Sequence, residues 1–174
     1  LQPRHFKDQR GTFVKTYHNE LFAHLGIHFT PREEFYSISH KGVLRGMHFQ
    51  RPPKAQTKIV RAVTGVIYDV LVDMRKGSPT YGKWEGYILS EHNHRQLLVP
   101  KGFAHGFVTL TPNCNVQYKV DEYFSKEHDG GIAFDDPEIG IQWPMPLNKL
   151  VLSEKDKQHP TLSEFDNPFI WEGK

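Results

Sequence analysis

Short apolar runs that alternate with polar residues at every second position are the feature that most limits how this chain folds. In the run 66–74 apolar side chains recur at period two, and Val116, Tyr118 and Val120 alternate with polar residues in the same way. Period two is the repeat of a β-strand, whose successive side chains point to opposite faces. The second face of run 66–74 is half polar, with Ile67, Asp69, Leu71 and Asp73. Turn residues (Gly, Pro, Asn and Asp) separate the runs, and strands at this spacing predict a sandwich or barrel.

The length of 174 residues is enough for one domain with a core and too short for two ordinary domains. We therefore predict a single mainly β domain over residues 1–174. The pattern also predicts a short helix at 18–24 with Asn19 as its N-cap, and a second one near 153–156 capped by Ser153. No apolar run approaches the roughly 18 residues of a transmembrane helix, so no membrane partner is expected.

The charge balance and the cysteine content limit the partners and the compartment. Lys and Arg number 22 against 20 for Asp and Glu, a net charge of +2. This balance excludes a broad nucleic-acid-binding surface but leaves room for a small local anion site. Cys114 is the single cysteine and cannot form an internal disulfide, which is typical of a reducing compartment. The first residues contain no apolar segment of signal-peptide length, so a cytoplasmic location is expected.

The chain contains 11 histidines, and this number invites a metal hypothesis. His92 and His94 have the i, i+2 spacing that places two imidazoles on one strand face, but their surroundings are polar throughout and indicate a turn. His48 and His105 each lack a second histidine nearby in sequence. The other histidines lie in polar or loop-like stretches and are expected at the surface: His5, His18, His24, His28, His40, His128 and His159. The spacing therefore disfavours a metal site.

The stretch around His48 is the more informative one. Residues 41–50 combine an arginine, two glycines and an amide with apolar residues, a mixture that is unusual in a purely structural strand. Lys58 opens another strand-like run, and Tyr118 lies on the apolar face of its own. Each has an ordinary structural explanation: a buried histidine with satisfied hydrogen bonds, a solvated lysine and a core tyrosine. Singly, none of the three identifies a site.

Several segments taken together resemble the dTDP-4-dehydrorhamnose 3,5-epimerase family. The longest are Gly-Val-Leu-Arg-Gly-Met-His-Phe-Gln at 42–50 and Pro-Lys-Gly-Phe-Ala-His-Gly-Phe at 100–107. Shorter matches lie at 6–11, 58–60, 78–82, 118–119, 143–144 and 153–156, so the resemblance runs from residue 6 to about 165. It implies a jelly-roll or cupin-like double-stranded β-helix barrel, with the C-terminal segment, about 145–174, packing short helices against it. It further implies a homodimer with strand exchange that needs no cofactor and no metal, and that acts on a nucleotide-diphosphate 4-keto-6-deoxy sugar.

The resemblance also implies roles for four catalytic residues. A carbon beside a ketone becomes acidic because its carbanion delocalises into an enolate, and C3 and C5 both flank the C4 ketone of such a sugar. His48 matches the family's base, a group whose ordinary pKa of about 6.5 suits proton transfer near neutral pH. Asp156 matches its carboxylate partner, and Tyr118 matches the acid that delivers a proton to the opposite face. Lys58 matches the positive donor to the enolate oxygen.

Substrate-binding positions follow from the same resemblance. Arg10, Arg45, His105 and Lys155 match family positions that contact the substrate, several of them at the diphosphate, where guanidinium groups bond phosphate oxygens well. Phe124 matches an aromatic residue that stacks on the base, and Asp129 lies near a usual glutamate position. Gln50, Glu33 and Phe35 complete the expected substrate-binding set.

Three positions of this chain depart from the family pattern around the nucleotide base. Glu33 and Phe35 lie in a stretch where the rhamnose-pathway members have Gln-Asp-Asn, and Lys15 stands where a glutamate is usual. Replacing an amide by a carboxylate changes the pattern of donors and acceptors, which can reject the original partner. These departures lead to the hypothesis that the nucleotide is CDP, GDP or UDP rather than dTDP.

Two further points are open at the level of sequence. Strict alternation places Arg45 and His48 on opposite faces of one strand, so both face a single site only if Gly46 permits a bulge. The alternatives to inversion at both carbons are an epimerase that acts at C3 or C5 alone and a ketoisomerase on the same scaffold. A sugar-binding barrel without catalysis is a third alternative, but it has no need of His48 and Lys58 together.

Overall fold

The computed structural model describes residues 1–173 and confirms a mainly β architecture. Its elements are eleven strands, one short α-helix and two 3-10 helices. The strands are Arg4–Asp8 (β1), Gly11–Lys15 (β2), Glu33–Ser39 (β3), Leu44–Gln50 (β4), Lys58–Thr64 (β5), Val66–Asp73 (β6), Trp84–Ser90 (β7), Leu97–Val99 (β8), Phe103–Thr109 (β9), Cys114–Val120 (β10) and Asp129–Gly131 (β11). The helices are Asn19–His24 (α1) and the 3-10 helices Leu147–Lys149 and Asp156–Gln158.

Two antiparallel sheets form the barrel. The four-stranded sheet has the order β3-β10-β5-β8, and the five-stranded sheet has the order β11-β4-β9-β6-β7. Strands β1 and β2 pair only with each other, as a separate hairpin. Apolar side chains from both sheets meet in one interior cluster that includes Val60, Val116, Ile67 and Phe107. This arrangement is the predicted jelly-roll barrel.

The five-stranded sheet is buried on both faces, which the alternation pattern did not indicate. Its second face packs against the C-terminal part of the chain in a cluster that joins Val70 and Met47 to Ile132, Leu162 and Phe169. Burial of both faces explains why the half-polar face of β6 carries no exposed carboxylate. Its two aspartates are 0% and 1% exposed, for Asp69 and Asp73 in turn.

The four-stranded sheet behaves as the sequence predicts. Along β10 the residues alternate strictly between buried and half-buried, with Val116, Tyr118 and Val120 on the buried face. Helix α1 covers part of its second face, where Phe22 packs against Phe29 and Ile59.

The first predicted helix is confirmed as α1, whereas the second, predicted near 153–156, is a 3-10 helix at Asp156–Gln158. Helix α1 begins at Asn19, and its N-cap is His18 rather than Asn19, because the His18 Nδ1 accepts a hydrogen bond from the Leu21 N–H at 3.4 Å. The second predicted helix is a 3-10 turn that starts at Asp156, whose backbone N–H donates to the Ser153 hydroxyl at 3.1 Å. Within residues 1–173 no helix has the length and apolar character needed to cross a membrane.

Candidate active site

One cavity of about 390 Å³ at the barrel mouth collects most of the predicted site residues. Its wall contains Phe35, Ser37, Arg45, His48, Phe49, Gln50, Gln56, Lys58, His105, Tyr118, Phe124, Asp129 and Lys155. The wall draws on strands β3, β4, β5, β9 and β10, so both sheets contribute to it. A larger cavity of about 740 Å³ lies elsewhere, beside Arg75 and Trp171, and has no imidazole in its wall.

A bulge in β4 turns Arg45 and His48 toward this same cavity. Strand β4 pairs with β9 at Arg45 opposite Phe107 and again at His48 opposite His105, so three steps on β4 match two on β9. A Cβ atom on Gly46 would lie 2.7 Å from the Cα of Gly106, so the close approach of the two backbones requires glycine. The condition set by the sequence, a bulge at Gly46, is confirmed.

His48 forms a hydrogen-bonded pair with Asp156. The His48 Nε2 lies 2.8 Å from the Asp156 Oδ1, and the other carboxylate oxygen accepts from the Gly46 N–H at 3.4 Å. The imidazole is 30% exposed and the carboxylate 6%. Burial raises the pKa of Asp156, but the hydrogen bond and charge of His48, together with hydrogen bonds to Ser153 and Gly46, outweigh burial and hold the pKa below its usual value. With Nε2 engaged, Nδ1 is the ring nitrogen whose lone pair is available to a substrate.

A second pair of the same kind lies deeper. The His105 Nε2 lies 2.6 Å from the Asp69 Oδ1, and the two side chains are 4% and 0% exposed. The second oxygen of Asp69 is buried and has no hydrogen-bond partner within residues 1–173. The resemblance predicted His105 as a site residue, but the sequence analysis missed Asp69. The feature that could have identified Asp69 is a single carboxylate in the middle of an apolar run.

Lys58 and Tyr118 both titrate abnormally because they are buried. Burial lowers the pKa of Lys58 to about 8, although the charges of Asp129 and Asp69 act in the opposite direction. The Lys58 ammonium donates to the His48 carbonyl oxygen at 3.5 Å. Burial raises the pKa of Tyr118 above its usual value, and the charge of Asp69 raises it further. At neutral pH the lysine is therefore cationic and the tyrosine carries its proton.

The other two cationic side chains of the cavity wall, Arg45 and Lys155, each have one side-chain partner within the protein. The Arg45 Nε donates to the Ser39 hydroxyl at 3.1 Å, which leaves the terminal guanidinium nitrogens for another partner. Lys155 pairs with Asp129, and its side chain is 53% exposed. Both cations can therefore contact an anion in the cavity.

Gln50 lies in the cavity wall, but its amide is used within the protein. The Nε2 donates to the carbonyls of Lys54 and Tyr123 at 2.7 Å and 3.1 Å. The Oε1 accepts from the Ser125 N–H at 2.6 Å. These bonds fix the loop that carries Phe124, so the contacts of Gln50 position a wall of the site.

A second cavity of about 430 Å³ adjoins the first and is lined by Glu33, Glu34, Phe35 and Phe124. Phe35 and Phe124 border both cavities and are 46% and 62% exposed. The ring of Phe35 also stacks on Tyr118 with the centroids 4.9 Å apart. Glu33 accepts a hydrogen bond from the Phe124 N–H at 2.9 Å, so its carboxylate lies at this adjoining cavity rather than in the first.

Arg10, another predicted site residue, lies in the wall of neither of these two cavities. It lies on the β1–β2 hairpin, is 85% exposed and pairs with Asp8 at 2.6 Å. Lys15, at the end of the same hairpin, is also exposed. The two aromatic residues of the hairpin, Phe6 and Phe13, are 61% and 63% exposed.

His159 is not at the surface, and the sequence expectation for it was wrong. Its side chain is 9% exposed, and its Nε2 lies 3.9 Å from the Asp156 Oδ1. Its ring meets that of His48 edge to face, with the centroids 5.7 Å apart. The chain after β11 folds back and packs His159 against Gly131, where an added Cβ would lie 2.5 Å from the His159 Nε2. Nothing in the local sequence, which is polar, distinguishes it.

Comparison with known proteins connects this geometry to an activity. Residues 1–164 match the family model described as dTDP-4-dehydrorhamnose 3,5-epimerase. The enzyme of that name from Methanothermobacter thermautotrophicus is 45% identical over 165 residues, which are 94% of this chain and 89% of that protein.

Two solved structures are similar over almost the whole chain. The dTDP-4-dehydrorhamnose 3,5-epimerase of Bacillus anthracis, with TDP and PPi bound, is 50% identical with a TM-score of 0.89, covering 92% of this chain and 91% of that one. The dTDP-6-deoxy-D-glucose-3,5-epimerase of Legionella pneumophila, in complex with dTDP-4-keto-L-rhamnose, is 39% identical with a TM-score of 0.91, covering 95% and 87%.

The fold and the site define an isomerase of the racemase and epimerase class that acts on carbohydrates. The chain belongs to the dTDP-4-dehydrorhamnose 3,5-epimerase family. The comparisons favour inversion at both carbons of a dTDP-sugar over the alternatives that the sequence left open, a single-centre enzyme or another nucleotide.

Proposed function

We propose that this protein inverts C3 and C5 of dTDP-4-dehydro-6-deoxyglucose by removing and returning a proton at each carbon, which gives dTDP-4-dehydrorhamnose. The observation that carries the proposal is the meeting of His48, Lys58 and Tyr118 in the wall of one cavity, with Asp156 bonded to His48. These groups supply a base, a fixed positive charge and an acid, which is the set that inversion through an enolate needs.

His48 takes the proton from the carbon beside the ketone. In the tautomer with the proton on Nε2, the ring donates to Asp156 and keeps a lone pair on Nδ1. When Nδ1 binds the substrate proton the ring becomes an imidazolium, and the buried Asp156 carboxylate stabilises that charge and fixes the ring orientation. The C–H electron pair moves into the C3–C4 or C4–C5 bond, and the ketone oxygen becomes the enolate oxygen.

Lys58 stabilises the enolate oxygen. Burial places its ammonium in a weakly screened environment, where a positive charge aimed at a developing negative charge is worth more than in water. Its pKa of about 8 keeps most of the population charged at pH 7.

Tyr118 returns a proton to the opposite face of the same carbon, and the configuration inverts. A buried phenol with a raised pKa keeps its proton at neutral pH and gives it up only to a stronger base such as an enolate carbon. The stacked ring of Phe35 holds the phenol in place. Exchange with solvent then restores the protonation states of His48 and Tyr118.

The substrate's remaining parts extend across the cavity mouth. The terminal nitrogens of Arg45 and the ammonium of Lys155 bind the diphosphate, while His105 accepts a hydrogen bond from a sugar hydroxyl through its Nδ1. The nucleotide base occupies the adjoining cavity between Phe35 and Phe124, with Glu33 and Asp129 at its polar edge.

Arg10 acts in a homodimer in which the β1–β2 hairpins are exchanged. The exposed rings of Phe6 and Phe13 and the exposed Tyr36 and Ile38 of β3 are apolar surface that such an exchange would cover. In that assembly Arg10 would reach the diphosphate in the partner's cavity. A mixture of Arg10→Ala and His48→Asn chains tests this, because hybrid dimers contain one intact site and regain activity that neither variant has alone. No regain on mixing would contradict exchange.

The decisive test of the reaction is incorporation of solvent deuterium. In D₂O the purified protein should label both C3 and C5 of dTDP-4-dehydro-6-deoxyglucose, as read by NMR. A label at one carbon would indicate a single-centre enzyme, and no label would indicate binding without catalysis. Displacement by free nucleoside diphosphates should show tighter binding of dTDP than of CDP, GDP or UDP; the opposite order would support the hypothesis drawn from Glu33, Phe35 and Lys15.

A further inference from the structure

A third donor atom, the His159 Nε2, lies beside the His48–Asp156 pair, and His159 is not part of the cavity wall. The imidazole nitrogens of His48 and His159 and a carboxylate oxygen of Asp156 all lie within 4.8 Å of one another. Among residues 1–173 this is the one group of three His, Cys, Asp or Glu side chains that meets such a limit. The group forms across the fold, since β4 supplies His48 and the segment after the second 3-10 helix supplies His159.

His159 is buried without a hydrogen bond at the nitrogen that faces this group. Its side chain is nine-tenths buried, and its Nε2 has no hydrogen-bond partner in the described part of the chain. A buried imidazole nitrogen without a partner loses hydrogen bonds that water would supply in the unfolded chain. Gly131 leaves the space that this nitrogen occupies, because any Cβ there would collide with it.

We propose that His48, Asp156 and His159 form a binding site for Zn²⁺, and that occupation of this site inhibits the enzyme. Two imidazoles and one carboxylate are the donor set of many zinc sites that keep a fourth position for water. They do not suit Mg²⁺ or Ca²⁺, which prefer oxygen ligands only.

The separations between the ligand atoms are close to those of a tetrahedral zinc site, so the side chains need to move only slightly to bind the ion. Bonds of about 2.0–2.1 Å in tetrahedral geometry place the ligand atoms about 3.3 Å apart. The Asp156 Oδ1 lies 2.8 Å from the His48 Nε2 and 3.9 Å from the His159 Nε2, values on either side of that separation. The His48 side chain lines the cavity and is 30% exposed, so one of the three ligands is in contact with solvent.

Inhibition follows from the tautomer of His48. A metal bound to Nε2 uses the lone pair of that nitrogen, so the single proton of the neutral ring must reside on Nδ1. Nδ1 then has no lone pair with which to remove a proton from the substrate. The bound ion also takes the Asp156 oxygen that would stabilise the imidazolium.

The two parts of this inference are tested separately, because inhibition rests on the proposed function and metal binding does not. Binding is measured on the EDTA-treated full chain by competition for Zn²⁺ with a chromophoric chelator, and by the visible absorption of Co²⁺ as a substitute. The wild type should bind one ion at this site, and His159→Phe should weaken binding by at least about tenfold. His92→Phe, which removes an exposed histidine outside the group, should bind as the wild type does. Equal affinity in the wild type and His159→Phe, or no binding by the wild type, would overturn the site.

Inhibition is measured as the rate of deuterium incorporation against added Zn²⁺. Zn²⁺ should stop incorporation by the wild type and EDTA should restore it, whereas Mg²⁺ should have no effect. His159→Phe keeps the ring that packs on His48, so it should stay active and need at least about tenfold more Zn²⁺. The same sensitivity in both would refute inhibition through this site. If His159→Phe does not fold, as judged by its melting temperature, His159→Leu provides the same comparison. A protein that binds Zn²⁺ through His159 but labels no substrate would support the site and contradict the proposed function.

Discussion

The molecule contains the same chemical pair twice, in two different surroundings. Both imidazoles line the cavity, but that of His48 is 30% exposed and that of His105 is 4% exposed, while the carboxylates of Asp156 and Asp69 are 6% and 0% exposed. The first pair joins a strand to the C-terminal segment, and the second joins two neighbouring strands of one sheet. A histidine–aspartate hydrogen bond therefore does not by itself make a base. What differs is the exposure of the imidazole, because the ring of His48 is partly open to solvent and that of His105 is almost fully enclosed.

The largest effect is expected when the proposed base, His48, is removed. His48→Asn should lower the rate of deuterium incorporation at both carbons by about 10³–10⁴-fold, since general base catalysis is worth up to that much. The melting temperature should change little, because the side chain is half-exposed. His92→Asn is the matched control and should keep the wild-type rate. A His48→Asn enzyme with a rate within tenfold of wild type would show that another group removes the proton.

Lys58 is linked to one member of each pair, since its ammonium donates to the His48 carbonyl oxygen and the charge of Asp69 acts on its pKa. Lys58→Met keeps the length and the apolar stem but removes the charge, so the enolate loses its positive donor. We expect kcat to fall by about 10²–10³-fold with a smaller change in KM. Steady-state kinetics at saturating substrate measure this. A rise in KM with an unchanged kcat would instead assign Lys58 to substrate binding.

The two pairs should also differ in how much they stabilise the fold. We expect the enclosed His105–Asp69 pair to contribute more to the free energy of unfolding than the His48–Asp156 pair. Asp69→Ala leaves the buried His105 nitrogen without a partner and should lower the free energy of unfolding by about 3 kcal/mol. Asp156→Ala should lower it by only about 1 kcal/mol, because water can reach the ring of His48. Urea denaturation of both variants measures the difference. Equal losses would mean that exposure does not separate the pairs.

Asp73, four residues after Asp69 on β6, is a third buried carboxylate, and its partners include no histidine. Burial raises its pKa, but hydrogen bonds from Arg75, Ser78 and Thr80 outweigh burial and lower the pKa to about 2. Because the folded pKa lies below the unfolded value of about 3.9, this stabilisation is full above about pH 5. It is then lost as the pH falls toward about 2, and its total is about 2.5 kcal/mol.

The measurement is the difference in unfolding free energy between the wild type and Asp73→Asn. That difference should be largest at pH 6 and should shrink steadily between pH 4 and pH 3, since the amide does not titrate. A difference that does not depend on pH would show that the hydrogen bonds of Asp73 act equally on its protonated form.

The candidate site could be predicted from the sequence only where residue types and short segments carried the information. The strings around His48 and His105 placed both histidines in the site, and the period-two pattern placed Tyr118 on a buried strand face. Placing Arg45 in the site required a bulge in β4, which the glycine at position 46 permits but does not predict. Asp69 was missed because an acidic residue in a half-polar strand is usually exposed, and its burial depends on a sheet packed on both faces.

The sequence by itself determined the mainly β class and the chemistry of the side chains, because alternation and residue type are local properties. Only the tertiary structure decided which residues act together. It brings Asp156 to His48 across 108 positions and buries His159 beside them, while leaving Arg10 outside the cavity of its own chain. The physical reason is that a strand pattern specifies which side chains share a face. What covers that face depends on how distant segments pack, and this packing fixes the exposure of each ring and carboxylate.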